Sequence, residues 1–173
     1  MDVEIRGEDT GDHQAIKLVN DLAFGQPDEG EMIEGLRRNP GFIPELSLVA
    51  LVDDAVVGHI LFFPIKIENA GSYETSLSLA PMAVHPDFQG KGIGGRLVEE
   101  GIAAAKARGF ESIIVLGHPE YYPRFGFQPA SRWGIRPPLE APDEAFMALE
   151  LAEGSLHGKA GVVEYPLEYG LAL

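Results

Sequence analysis

Gln89-Gly90-Lys91-Gly92-Ile93-Gly94, followed by Gly95 and Arg96, puts four glycines into the six positions 90–95. The run falls where an apolar strand expected over residues 75–84 has ended and a helix expected over residues 92–108 begins. Glycine weakens a helix by ~1 kcal/mol relative to alanine, so this density needs a reason other than helix formation. A backbone without Cβ atoms lets a phosphate come close, and the free N–H groups at the positive end of a helix point at it. Lys91 and Arg96 add two positive charges, and no acid occurs between Phe88 and Val98. Gln89, Gly90, Lys91, Gly92, Ile93, Gly94 and Gly95 are therefore the expected phosphate cradle; a tight turn with close helix packing is the competing reading.

Outward from this run, Ile93, Leu97, Gly101 or Ile102, and Ala105 share one helix face. Lys106 and Arg108 suit its negative end, and Gly109 suits its stop. Residues 112–116 form a short apolar strand, so strand, helix and strand make a βαβ unit with parallel strands. Toward the N-terminus, residues 3–6 read as a strand, and Asp12 reads as the cap of a helix carrying Ile16, Val19 and Phe24. A second helix is expected over 31–38, then a hairpin of strands 46–52 and 56–67 parted by Asp53 and Asp54. Further strands are expected at 127–130, 145–151 and 162–165. The fold class is mixed α/β (α+β), with a mostly antiparallel sheet flanked by helices.

At 173 residues without internal repeats or long linkers, the chain suits one domain over 1–173 that buries roughly 70% of its unfolded surface. Hydrophobic residues at 45% and charged residues at 23% exclude a disordered or collagen-like chain. The absence of cysteine removes disulfides, thiolate metal sites and a cysteine nucleophile. No apolar run reaches the ~20 residues that span a bilayer, and no secretory pattern opens the chain, so a soluble cytoplasmic protein is expected. Thirteen basic against 27 acidic residues give a net charge of −14, which disfavours nucleic acid and anionic membranes as partners. The glycine run is then a local exception in a repulsive background.

Gly90, Gly92 and Gly95 also fit the G-x-G-x-x-G spacing of dinucleotide-binding folds. That reading needs the glycines directly after the first strand of a large parallel sheet, and the chain beyond the βαβ unit is too short for a second half. The residues from Leu79 through Met82, Ala83, Val84, His85, Pro86, Asp87 and Phe88 into Gln89 to Gly94 match something else. They resemble the acetyl-CoA motif of the GNAT superfamily of N-acetyltransferases, Q/R-x-x-G-x-G/A after a strand ending in an apolar-Val-x-Pro step. The order of elements along the chain agrees. The resemblance implies acetyl-CoA as cosubstrate without a metal, main-chain groups of Met82, Ala83 and Val84 along the pantetheine arm, and the loop on the pyrophosphate. Pro81 marks an edge or bulge in its strand, and family members use a splay of this central strand pair to admit the thioester.

Residues 117–127, Gly-His-Pro-Glu-Tyr-Tyr-Pro-Arg-Phe-Gly-Phe, follow the short apolar strand. Pro119 suits the first position of a short helix and Gly126 its exit. The segment resembles the family's Y-x-x-x-G-F ending, which puts Tyr122 where many members keep the general acid that protonates departing coenzyme A; Tyr121 is the rival. Packing of both rings is the structural alternative. The Val84 N–H would stabilise the oxyanion. A base is needed because an alkyl amine of pKa ~10 is protonated at neutral pH. Relatives carry a glutamate in the strand before the glycines, where this chain has Ser76 and Ser78, so His118 and Glu120 are the candidates. His59 and His85 read as structural or surface residues. Trp133 reads as packing before acceptor lining. Glu29, Glu31 and Glu34, on helices that shape the acceptor site in the family, suit a cationic amine or plain solvation. The implied function is acetyl transfer to a primary amine of a small molecule or peptide by direct attack, in a monomer or homodimer. The alternative is a non-catalytic acyl-CoA-binding regulatory domain.

Overall fold

A computed structural model of the protein describes residues 1–170. In chain order its elements are β1 (Glu4–Gly7), α1 (His13–Phe24), α2 (Asp28–Arg37), β2 (Ser47–Val52), β3 (Ala55–Asn69), β4 (Ser72–Val84), α3 (Ile93–Ala107), β5 (Ser112–Leu116), β6 (Gln128–Pro129), β7 (Ile135–Arg136), β8 (Phe146–Glu150) and β9 (Gly161–Glu164). These fall into two compact units, Met1–Phe63 with Ala80–Ala104, and Pro64–Leu79 with the described chain from Ala105 onward. The strands β3 and β4 and the helix α3 each run through both.

In the first unit β1, β2 and β3 pair antiparallel, with Ile5 opposite Ala50 and Val49 opposite His59. The β2–β3 turn holds Asp53 and Asp54 at φ 49° and 64°, a left-handed pair that short polar side chains tolerate and that matches the twist of a two-residue hairpin. Helix α1 buries Ile16, Val19 and Asn20, at spacings of three and four from Ile16, and α2 buries Gly30, Ile33 and Leu36, three apart, one stripe each. A Cβ at Gly30 would lie 2.7 Å from Asp21 Oδ1 and 2.9 Å from Lys17 Cγ, so glycine lets the two helices close on each other. Asp12 does not cap α1 with its side chain. It is drawn instead to Arg6, at 2.6 Å, and to the N–H of Asp9, at 2.8 Å, across a 3-10 turn over Thr10–Asp12 that the sequence pattern did not reveal.

Helix α3 lies within the expected span and buries Ile93, Leu97, Val98 and Gly101. Two glycines let it approach the strands closely. A Cβ at Gly58 of β3 would meet Leu97 Cδ1 at 3.1 Å and Ile93 Cγ2 at 3.3 Å, and a Cβ at Gly101 would sit 2.0 Å from the Phe62 ring. Pro81 lies inside β4 and is buried.

In the second unit β4 and β5 pair in parallel, Leu77 opposite Ile113 and Ser78 opposite Ile114, as a βαβ crossover requires. The other β5 neighbour, β8, is antiparallel, and β6 pairs with β8. β9 pairs antiparallel with β3 through Ile67 and Val163, and β7 runs parallel to β9. Ile65, Ile67, Ile114, Phe146, Leu156 and Val163 belong to one buried cluster, and Trp133 packs on it. Mostly antiparallel pairing with one parallel central pair is the expected class, but several boundaries move. Strand β4 starts at Ser72 rather than 75, because Ala70 and Gly71 at φ 51° and 86° make a tight turn directly after β3. The strand expected at 127–130 shrinks to Gln128–Pro129, and β7 is too short to carry a periodic signal. Among the described residues no helix is long and apolar enough to cross a membrane, and no group of three or more His, Cys, Asp or Glu is placed to hold a metal ion.

Candidate active site

Met82, Ala83 and Val84 are the last residues of β4 in the first unit, with Ala83 buried and the other two partly exposed. The next N–H, of His85, donates to Val57 O at 2.8 Å and so keeps the strand end against β3. A 3-10 turn, Pro86–Phe88, then carries the chain away; its cap is His85, whose Nδ1 accepts the Asp87 N–H at 3.0 Å. His85 thus ties this turn through its ring. Gln89 is extended, and its Nε2 donates back to Val84 O at 3.0 Å.

Gly90 and Gly92 follow at φ 75° and 81°, where an L side chain is strained, and an added Cβ at either would meet nothing within 4 Å. Crowding therefore does not require these glycines. Backbone conformation does, and the open space beside them is what a bound group would use. The first bond of α3 is Arg96 N–H to Gly92 O at 3.2 Å, so the N–H groups of Ile93, Gly94 and Gly95 precede the helical ladder and carry its positive end. Ile93 is buried and anchors this turn, while Gln89, Gly90, Lys91 and Gly92 are exposed. The Lys91 ammonium lies 5.5 Å from the Phe88 ring centroid, close to the loop. Arg96 is not free for a ligand in the same way, because its guanidinium donates to Val3 O at 2.9 Å.

The second unit holds the tyrosine segment. The N–H groups of Tyr121 and Tyr122 both donate to His118 O, at 3.1 and 3.4 Å, which folds His118 to Tyr122 into one turn. The short helix is a 3-10 turn over Tyr122–Phe125 with Pro123, not Pro119, near its start; Gly126 is the exit, at φ 98°. Tyr122 is 7% exposed. Its ring lies against Gly117, where a Cβ would be 2.5 Å from Cε2, and edge-on to Tyr121 and Phe127, at 5.1 and 5.7 Å. Burial pushes the Tyr122 hydroxyl up to about 12, with Tyr121 adding to it. Tyr121 is less buried and lies under the Arg124 guanidinium, 4.5 Å from its ring centroid. His118 and Glu120, the two candidate bases, are exposed. The Arg132 guanidinium stacks over Trp133 at 5.5 Å.

Sequence patterns missed a polar cluster in the first unit. The Glu8 carboxylate takes two bonds from Arg37, both 2.9 Å, one from Ser47 Oγ at 2.5 Å, and faces His13 Nε2 at 3.0 Å. Since Ser47 donates to Glu8, its oxygen accepts from His59 Nε2 at 2.9 Å, and His59 Nδ1 is left to accept from Asn20 Nδ2 at 3.4 Å. His59 is fully buried, which holds it down to about 3 and neutral. Burial alone would raise Glu8, but Arg37 and Ser47 outweigh it and leave the carboxyl below its usual range. Partners up to 39 residues apart leave no local pattern to read. Beside the cluster, His13, Lys17, Asp21, Glu34, Arg37 and Arg38 line a cleft of about 440 Å³ between α1 and α2. Of the three acids proposed for an acceptor, only Glu34 reaches it; Glu29 is bonded by Gln26 at 3.0 Å.

Residues 44–129, which include β4, the loop and the tyrosine turn, match the family described as acetyltransferase (GNAT) domain. The uncharacterized N-acetyltransferase YjhQ of Escherichia coli K12 is 38% identical over 137 residues, 79% of this chain and 76% of its own. The crystal structure of the E. coli GNAT family N-acetyltransferase YhbS in complex with CoA superposes with a TM-score of 0.91 at 28% identity, covering 99% of this chain and 93% of that one. A GNAT family acetyltransferase from Brucella melitensis in complex with acetyl-CoA gives 0.78 at 32% identity, covering 97% and 98%. With left-handed glycines at a helix start and relatives of 38% and 32% identity matched along most of their length, the chain belongs to the GNAT family of acetyl-CoA-dependent N-acetyltransferases.

Proposed function

We propose that the protein transfers the acetyl group of acetyl-CoA to a primary amine of a small molecule or peptide by direct attack. The observation that carries the donor side is the pair Gly90 and Gly92, held left-handed beside open space at the start of α3. The E. coli and Brucella relatives bind CoA and acetyl-CoA, which supports the same donor here. In this reading the N–H groups from Gly90 to Gly95 and the Lys91 ammonium take the pyrophosphate, and main-chain groups of Met82 to Val84 take the pantetheine arm. Strand β4 continues to Val84 beyond its parallel pairs with β5 at Leu77 and Ser78. All of this belongs to a single acetyltransferase domain over 1–173.

The acceptor nitrogen attacks the thioester carbonyl carbon, the C–N bond forms, negative charge gathers on the oxygen near the Val84 N–H, and the C–S bond breaks. The ammonium proton leaves to a base, for which the exposed His118 and Glu120 are the candidates. Tyr122 serves the departing sulfur. A hydroxyl held near 12 stays protonated across neutral pH, but full transfer to a thiolate of pKa ~8.5 is uphill by ~5 kcal/mol. Tyr122 is thus a hydrogen-bond donor to developing thiolate charge more than a source of a free proton, and acid assistance is helpful rather than indispensable. Tyr122→Phe should lower kcat for thiol release by about 10- to 100-fold, at the low end of general acid catalysis, with CoA affinity within twofold of the parent. Thiol release across a panel of amines measures this. A Phe variant as fast as the parent would remove Tyr122 from the chemistry, and tight CoA binding without release from any amine would favour a regulatory acyl-CoA sensor.

A further inference from the structure

The peptide joining Val84 to His85 is held at both edges. Its N–H donates to Val57 O at 2.8 Å, and its carbonyl accepts from Gln89 Nε2 at 3.0 Å. The second bond spans five residues and closes the turn 85–88, whose own ties are Phe88 N–H to His85 O at 2.8 Å and Asp87 N–H to His85 Nδ1 at 3.0 Å. The main chain of Gln89 is extended, at φ −70° and ψ 155°, and leads straight into left-handed Gly90. Backbone and side chain of one residue therefore part company: the backbone enters the glycine loop, and the carboxamide turns back to the strand.

We propose that Gln89 is a positioning residue, which fixes the Val84–His85 peptide and so limits the backbone turn at Val84, the residue whose N–H faces the reaction, and that it is not a ligand of the cofactor's phosphates. The proposal rests on the reading above in which that N–H meets the oxyanion. Val84 is the last residue of β4, and the Gln89 and Val57 bonds hold the peptide after it, which restricts its ψ. Preorganised donors of this kind act because they need no reorientation as charge develops. Loss of the Gln89 bond leaves the strand end anchored on the Val57 side alone, and the cost falls on kcat. The phosphates would then be met by main-chain N–H groups and Lys91, whatever stands at position 89.

Three variants separate the roles. Gln89→Ala removes the donor, Gln89→Glu keeps the size and removes the donor, and Gln89→Arg restores N–H donors. In the free protein, amide hydrogen exchange at His85 should quicken at least fivefold in the Ala and Glu variants and stay near the parent in Arg; unchanged exchange in all three would overturn the strap. In turnover, kcat should fall by about 5- to 20-fold for Ala and Glu, equally with acetyl-CoA and with S-acetylpantetheine, and recover in Arg. A loss seen only with acetyl-CoA, and in KM, makes Gln89 a phosphate ligand and overturns the proposal. A parent protein that releases no thiol from either donor overturns the transfer reading and the catalytic role together. Exchange in the free protein still reports the strap itself, so the two failures are told apart.

Discussion

The loop after β4 satisfies its polar groups close at hand: Gln89 reaches Val84, Asp87 reaches His85, and Lys91 sits by Phe88. The cluster around Glu8 is drawn from far apart, with Arg37 29 residues on, Ser47 39 residues on, and His59 a further 12 from Ser47. The loop leaves Gln89 to Gly92 exposed beside open space, whereas the cluster closes over a carboxylate that is 3% exposed and a histidine that is 0% exposed. The contrast separates two uses of polar side chains within one compact unit. Local bonds shape an exposed loop with open space beside it; long-range buried bonds join α1, α2, β2 and β3.

Breaking the buried side should give the largest effect. Glu8→Ala leaves the Arg37 guanidinium with no carboxylate and Ser47 with one partner fewer, and removal of one member of a buried pair costs about 3 to 5 kcal/mol. Urea unfolding of parent and variant measures it, with Glu8→Gln intermediate because it keeps an acceptor. A loss below ~1 kcal/mol would mean that the cluster contributes little and that apolar packing alone holds these elements.

The same contrast governs what was legible in the sequence. The helix α3 announced itself through Ile93, Leu97 and Ala105, and the left-handed loop before it through its glycines, because helix period and loop chemistry are written in neighbouring letters. The parallel pair of β4 and β5 followed from the strand, helix, strand order. Tyr122 was legible as a candidate through the Y-x-x-x-G-F resemblance, but its burial against Gly117 was not, since that depends on how the turn closes. Asp12 shows the limit from the other side. Its position and residue type suit a cap, yet Arg6, six residues back on β1, offered a charged partner at 2.6 Å and took the carboxylate. Arg96, read as a phosphate cation, is tied to Val3 O, 93 residues away.

Gly92→Ala tests the open side. Among the described residues nothing beyond the chain neighbours lies within 4 Å of the added methyl, so the stability cost is left-handed strain at φ 81°, about 1 to 2 kcal/mol. A methyl group standing in the cradle should also weaken CoA by about tenfold, and titration calorimetry reads this independently of stability. Unchanged CoA affinity with lowered stability would return the glycines to the role of a tight turn.

The smallest effect sharpens the comparison through pH. His59 is neutral in the folded chain down to about pH 3, chiefly because burial excludes the charged form; Arg37 adds to this and Glu8 opposes it. The unfolded chain binds the proton near the ordinary value of 6.5, so stability owed to neutral His59 is complete above pH 6.5 and is lost as pH falls toward 3. The slope is at most ~1.4 kcal/mol per pH unit. Glu8 acts in the same direction, its carboxyl being lowered in the fold, but its share is lost only below about pH 4.5. Between pH 6.5 and 5, then, His59 is the member of the cluster that sets the slope. His59→Gln, which can still donate to Ser47 and accept from Asn20, should flatten the dependence of unfolding free energy on pH in this window by about 1 kcal/mol per unit. Equal slopes in parent and variant would show that His59 takes up its proton in the folded state, and that the cluster is less closed than its burial implies.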